Sequence, residues 1–171
     1  GRQAAGVIGI RPRGDDRVVA AEVVKPENDL LVVSANGYGK RTEIAEFRLQ
    51  SRGGHGVTAM RITDRNGPVA AARVVTEDHT VMLVSERGLV IRVPASQISR
   101  IGRSTQGVGI MRVQPGDRVA SITLIRTEEE NALADLEEAS ANPSAIESHN
   151  GHEASPIGDD GTSEEPEPDP S

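Results

Sequence analysis

An all-β fold of propeller-like blades, about four strands to a blade, is what this sequence predicts, and three observations predict it. First, the chain repeats itself. Shifted by 51 residues, Val33-Ser34 falls on Val84-Ser85, Gly37 on Gly88, Arg41 on Arg92, Arg52 on Arg103, Gly56-Val57 on Gly107-Val108 and Met60-Arg61 on Met111-Arg112. Shifted by 50 the other way, Arg52 meets Arg2, Gly56-Val57 meets Gly6-Val7 and Arg61 meets Arg11. A period of this length marks arrays whose units bury their faces only against neighbouring units. Second, the repeat consists of short apolar and β-branched runs parted by Gly, Asn, Asp and Pro turns at spacings of roughly 8–12 residues, the pattern of an all-β protein. Third, composition breaks sharply at residue 126. All 19 Lys and Arg lie in residues 1–126 with 12 acids, a net +7, whereas 127–171 holds 14 acids and no base.

The elements follow in order. Residues 7–11 read as the last strand of an incomplete repeat, 13–16 as a turn and 18–24 as a β-branched, alanine-containing strand. After a turn at 26–29 comes a buried strand at 30–34. Asn36-Gly37 is a hairpin turn, since both residues accept positive φ cheaply, and 40–47 is the return strand. A glycine-rich turn carrying Arg52 follows, and 57–63 restarts the cycle. Strands at 69–75, 80–85 and 89–93, with turns at 64–67, 77–78 and 86–88, repeat the order; 108–113 and 119–126 begin a third pass. Residues 1–126 are thus read as blades and 127–171 as an acidic tail. Thr127 and Glu130 match a capping box ahead of Leu133 and Leu136, which predicts a short helix over 127–139. From residue 140 on there is almost nothing to bury, and disorder is expected. Two units and a fraction cannot close a ring; with a start inside a repeat and no initiator methionine, the chain reads as a piece of a longer protein.

Composition narrows the function classes. There is no cysteine, so neither disulfide nor thiolate chemistry is available and a reducing, cytoplasmic setting is expected. No apolar stretch is long enough to span a bilayer. The only aromatic residues are Tyr38 and Phe47, too few for a single-strand binder that stacks bases on rings. A basic body with no such platform fits duplex nucleic acid held by its phosphates. His149 and His152 lie in a Gly-containing polar segment without further ligands, so no metal site is expected. Tyr38 sits in a Gly-Tyr-Gly hairpin with no acidic cluster beside it and is not expected to be catalytic.

The turn Gln50-Ser51-Arg52-Gly53-Gly54-His55-Gly56 admits three readings. It is a tight loop whose glycines serve backbone geometry alone, a nucleotide-binding P-loop, or a turn whose glycines let the backbone approach a duplex while Arg52 pairs with phosphate. The P-loop fails because no Gly-Lys-Ser/Thr closes the motif and no helix follows. Recurrence of arginine at the same place in each repeat, at residues 2, 52 and 103, favours the third. The candidate phosphate contacts are therefore Lys40, Arg41, Arg52, Arg92 and Arg103, all from turns or hairpin strands that recur.

Those same residues resemble a known family. Residues 50–56 are similar to the heptapeptide box in the gyrase A protein of the bacterial DNA gyrases, with Ser51 and His55 where the box has basic residues, so they read as a degenerate copy. Residues 34–42 (Ser-Ala-Asn-Gly-Tyr-Gly-Lys-Arg-Thr) resemble a hairpin of that family's late blades, and residues 101–108 (Ile-Gly-Arg-Ser-Thr-Gln-Gly-Val) its last blade. The resemblance covers residues 1–126 by motif and the acidic tail by composition. It implies a β-pinwheel that binds and wraps double-stranded DNA without sequence preference. It implies a parent type II topoisomerase that supercoils DNA negatively using ATP, with a second gyrase A protein and the gyrase B protein as partners, near the nucleoid. ATP and magnesium would be bound elsewhere in that complex, with no cofactor in this chain. The nearest alternative is the homologous component of topoisomerase IV. From another class, a kelch- or WD-type interaction propeller predicts aromatic signatures and balanced charge, neither of which is present. An enzyme in its own right would need an acid/base or metal cluster.

Overall fold

The structure, a computed structural model, describes residues 5–126; the helix and tail expected beyond residue 126, with His149 and His152, lie outside the described residues. Seven strands follow in order: β1 (Asp29–Ser34), β2 (Tyr38–Glu43), β3 (Val69–Val75), β4 (His79–Ser85), β5 (Val90–Pro94), β6 (Val108–Gly109) and β7 (Val119–Arg126). Single 3-10 turns at Ile44–Glu46 and Ala95–Gln97 follow the two hairpins at matching repeat positions. The all-β expectation holds across the described residues.

The hairpins are local and the sheets are not. β1 pairs with β2, and β4 with β5, through turns that end in Gly37 and Gly88, with φ of 79° and 84°. Glycine at 37 is required twice over. The backbone is left-handed there, and a Cβ would run into the carbonyl oxygen of Met111. Its own carbonyl accepts the backbone N–H of Ile110 and Met111 at 2.9 and 3.0 Å. Each sheet is then completed by the following repeat. β3 pairs antiparallel with β1 from Asp29↔Val75 to Ser34↔Val69, and β7 pairs with β4 from His79↔Arg126 to Ser85↔Val119. Both ladders carry an irregularity at the same repeat position, Val33/Ser34 and Val84/Ser85. The sheet orders are β3-β1-β2-β6 and β5-β4-β7.

This exchange explains why the blades cohere. A two-stranded hairpin is marginal in water, so each gains a third strand and a buried face from its successor. The core, Leu31, Val33, Val75, Val81, Leu83, Ala95, Ile98, Met111, Val119 and Ile122, draws on β1, β3, β4 and β7 together. A fully buried aliphatic side chain contributes about 1.5–3 kcal/mol, and the alternation along β4 puts Val81 and Leu83 wholly inside. Ile98 joins that core, while its repeat partner Phe47 is only half-buried.

The exchange also accounts for the strands that the sequence predicts and the structure lacks. Residues 18–24 stand where β3 and β7 stand in later repeats, yet they lie extended outside any ladder, with Val18 64% and Val23 90% exposed. Their ladder partner would be a hairpin one repeat earlier, which the described residues do not contain. Residues 7–11 contribute only a parallel bridge between Ile10 and Gly54. Residues 57–63 form no strand, and of 108–113 only β6 pairs. These segments are crossings between blades without a continuous ladder; Met60 and Met111 are buried at 5% and 4% exposed, whereas Ile10, Ile62 and Val108 remain exposed.

Candidate nucleic-acid interface

The recurring arginine turns are placed by the crossings. At the Arg52 turn, Gly53 donates its N–H to the carbonyl of Gly9 at 2.8 Å, and Arg11 donates its N–H to Gly54 O at 2.9 Å. Gly53 and Gly56 have φ of 72° and 76°, which lets the chain turn tightly enough to present Arg52 outward. Arg52 is exposed, and its guanidinium has no partner among the described residues. At the Arg103 turn, Arg61 donates its N–H to Thr105 O at 3.0 Å, and Arg103 donates from Nη1 to Thr58 O at 3.1 Å. Arg103 is half-buried and its N–H meets Glu46 Oε2 at 3.2 Å. Arg92 lies on the exposed side of β5.

Two of the five expected phosphate contacts are corrected by burial. Lys40 is fully buried, and Nζ donates to Gly102 O at 2.7 Å and Thr105 Oγ1 at 3.1 Å. It ties the β1–β2 hairpin to the Arg103 turn of the next repeat. Arg41 is 4% exposed. Its Nε donates to Ile98 O at 2.9 Å, and Nη1 meets Asp29 Oδ2 at 3.1 Å. Asp29 also receives Arg100, Nη2 to Oδ1 at 2.8 Å, and Arg100 reaches Glu43 at 3.1 Å. The bond from Asp29, with Glu43 and Glu77 behind it, raises the Arg100 pKa further above its ordinary value. The reason for both burials is one parallel crossing: Arg41 N donates to Ser99 O and Ile101 N donates to Arg41 O, each at 2.9 Å. That crossing lays residues 96–105 over β2. Neither cation faces solvent where a phosphate could reach it.

Burial pushes the Lys40 ammonium down to about 8; Glu46 opposes the shift and Arg103 adds to it. Its folded value lies below its unfolded one, so above about pH 8 the native state binds fewer protons than the unfolded chain. Stability should then rise with pH from about 8 to about 10.5. Lys40→Met, which keeps volume but cannot titrate, should flatten that rise in melting temperature while the unaltered chain shows it. A rise of the same size in the variant would assign the titration to another group.

Sequence reasoning missed two other polar anchors. Asn66 is fully buried; Nδ2 donates to Arg61 O at 2.9 Å and Gln106 O at 3.1 Å, while Oδ1 accepts from Thr63 N at 2.8 Å. Tyr38 accepts a hydrogen bond from Arg65 Nε at 2.8 Å, and the Arg65 guanidinium lies 5.1 Å from its ring centre. That pair flanks a cleft of about 850 Å³ lined by Asn36 and residues 109–117. Among the described residues, no three His, Asp or Glu side chains converge as metal ligands, and no helix is long and apolar enough to cross a membrane.

Strand-exchanged units, repeating at 51 residues and carrying arginine turns on their crossings, define the class as a β-propeller assembly of the pinwheel type. A family profile described as "DNA gyrase C-terminal domain, beta-propeller" matches residues 1–25, 28–76 and 79–126, three stretches that follow the internal repeat. The chain belongs to that family. It is 41% identical over 133 residues to the DNA gyrase A protein of Staphylococcus epidermidis, covering 77% of this chain and 15% of the relative. With that of Dehalogenimonas lykanthroporepellens it shares 43% identity over 126 residues, covering 70% and 16%. The chain thus spans about a sixth of the length of these relatives. Among solved structures, a DNA gyrase A C-terminal domain aligns with a TM-score of 0.57 at 32% identity, over 60% of this chain and 35% of that one. The C-terminal domain of a DNA topoisomerase IV aligns at 0.68 with 22% identity, over 78% and 43%, which shows the shared fold.

Proposed function

We propose that this domain binds double-stranded DNA through its phosphates, without reading sequence, and curves it along the arginine turns as part of a DNA gyrase A protein. The observation that carries the proposal is the outward placement of Arg52 at a glycine turn that recurs, with Arg103, once per repeat. Arg92, exposed on β5, is the third contact. A guanidinium fork matches a phosphate's oxygens, and cations repeated at a fixed interval along an assembly suit a polymer of regularly spaced phosphates. The near absence of aromatic residues leaves no stacking platform for single strands.

In the parent assembly, a wrapped segment would be handed to a cleavage gate elsewhere in the complex, with a second gyrase A protein and the gyrase B protein completing it. ATP and magnesium would act on those other parts, in the cytoplasm beside the nucleoid. The described residues supply binding and curvature alone. A competition titration tests the proposal: labelled duplex of random sequence should be displaced by unlabelled duplex of any sequence and poorly by single strands of equal length. Efficient displacement by single strands, or by one duplex sequence only, would overturn it.

A further inference from the structure

The arginine turns do not act alone. Each is crossed by a segment of the preceding repeat that carries its own exposed arginine, and the crossing is fixed by backbone bonds. Arg11 crosses the Arg52 turn. Besides its N–H to Gly54 O, its side-chain Nε donates to Gly53 O at 3.0 Å, one residue from Arg52. Arg61 crosses the Arg103 turn at the equivalent place, with its N–H on Thr105 O, the residue 51 positions after Gly54. Arg61 is held from both sides of its peptide, since its carbonyl accepts Asn66 Nδ2 at 2.9 Å. Arg103 in turn lies along the same crossing through its bond to Thr58 O. Arg11 and Arg61 are both exposed. The guanidinium of Arg61 has no partner among the described residues, and that of Arg11 retains donors beyond Nε. Between crossing and turn lies an open hollow of about 170 Å³, lined by Gly9 and Ile10 from one side and by Ser51 and Arg52 from the other.

We propose that each turn is half of a two-arginine phosphate site completed across the repeat boundary: Arg11 with Arg52, and Arg61 with Arg103. The proposal rests on the duplex-binding reading above and adds to it the two residues and the pairing. Two guanidiniums on one phosphate supply more charge-assisted bonds than one. The backbone bonds hold both segments in place before DNA arrives, so less conformational freedom is lost on binding. The pairing also ties DNA affinity to blade-to-blade contact, because a site exists only where two repeats meet.

Arg61 is the cleaner probe, since its structural bonds all use backbone atoms. On the 171-residue chain with a labelled random-sequence duplex, Arg61→Ala should weaken binding roughly fivefold and leave the salt slope nearly unchanged, because Arg103 still holds the shared phosphate, with Arg61→Lys recovering part of the loss. Combined with Arg103→Ala, the loss should be smaller than the product of the two single losses, because both arginines serve one phosphate. Arg118→Ala removes the same charge from an exposed site outside any turn and should cost less. Unchanged affinity in Arg61→Ala, beside a clear loss in Arg103→Ala, would overturn the pairing and leave the duplex-binding reading standing. So would equal losses from Arg61→Ala and Arg118→Ala, or strictly multiplicative losses in the double variant. No duplex binding by the unaltered chain would overturn both.

Discussion

Asp29→Ala should destabilise the domain by about 3–5 kcal/mol, the cost of leaving a buried charge without its partner. Asp29 and Arg41 are each 5% exposed as side chains and meet at 3.1 Å. Removing the carboxylate leaves the guanidinium under residues 96–101 with only the exposed Glu77 carboxylate at 3.6 Å to balance it, while the carbonyls of Ser96 and Ile98 satisfy donors but do not neutralise charge. It also releases Arg100, whose bonds to Asp29 hold the crossing from outside. The comparison that gives the result meaning is Arg100→Ala. That side chain is 47% exposed, so solvent screens its pairs and the loss should stay near or below about 1 kcal/mol. Urea midpoints at constant m-value would measure both. Equal losses for the two variants, or less than about 1 kcal/mol for Asp29→Ala, would show that the pair is not buried as described. Replacing Arg41 with Met in the Asp29→Ala background should recover part of the loss, because the stranded charge is then gone.

The Asp29–Arg41 pair also marks where the sequence stopped being readable. Strands β3 and β7 were legible to the residue, because Val69–Val75 and Val119–Arg126 are apolar runs bounded by turn-forming residues. Their partners were not. Periodicity reports which residues alternate, but not that β3 completes the hairpin before it, so nothing local showed what would cover β2. Lys40 and Arg41 follow a hairpin glycine and read as solvent-facing, since adjacent residues of a strand point to opposite faces and an edge strand commonly leaves one of them wet. Here both faces are covered by the next repeat. The repeat itself held the clue. The residue 51 positions after Lys40 is Ile91, an apolar residue in the same slot, and Asp29, twelve residues before Arg41, becomes Thr80 where the exposed Arg92 replaces the buried Arg41. The exposed turns were legible for the opposite reason. Arg52 lies just before Gly53 and Gly56, and Arg103 before Gly107, whose positive φ is a local requirement, and the Arg11 and Arg61 crossings were visible only as matches in the repeat until backbone bonds joined them to those turns.

Duplex affinity should fall steeply with salt, and the slope counts the phosphates. Neutralising one phosphate contributes about −0.9 to the slope of log affinity against log salt. With Lys40 and Arg41 withdrawn into the fold, Arg52, Arg92 and Arg103 alone predict a slope of about −2.7. If Arg11 and Arg61 share the phosphates of the two turns, the count stays at three and the slope stays at about −2.7, whereas five separate contacts would predict about −4.5. The difference is large enough to read directly: a fourfold rise in salt lowers affinity about 40-fold for three contacts and about 500-fold for five. The net +7 of residues 1–126 would by itself draw DNA diffusely, but screening of a diffuse field acts alike on every exposed cation. Local contacts differ, because removing both arginines of one turn, Arg11 with Arg52 or Arg61 with Arg103, should lower the slope by about one while Arg118→Ala should lower it less. A titration of the unaltered chain across that salt range, by anisotropy with a labelled duplex, measures the first number, and the paired double variants measure the increments. A slope close to zero, or one that does not change when Arg11 and Arg52 are both removed, would mean that the turns face something other than phosphate.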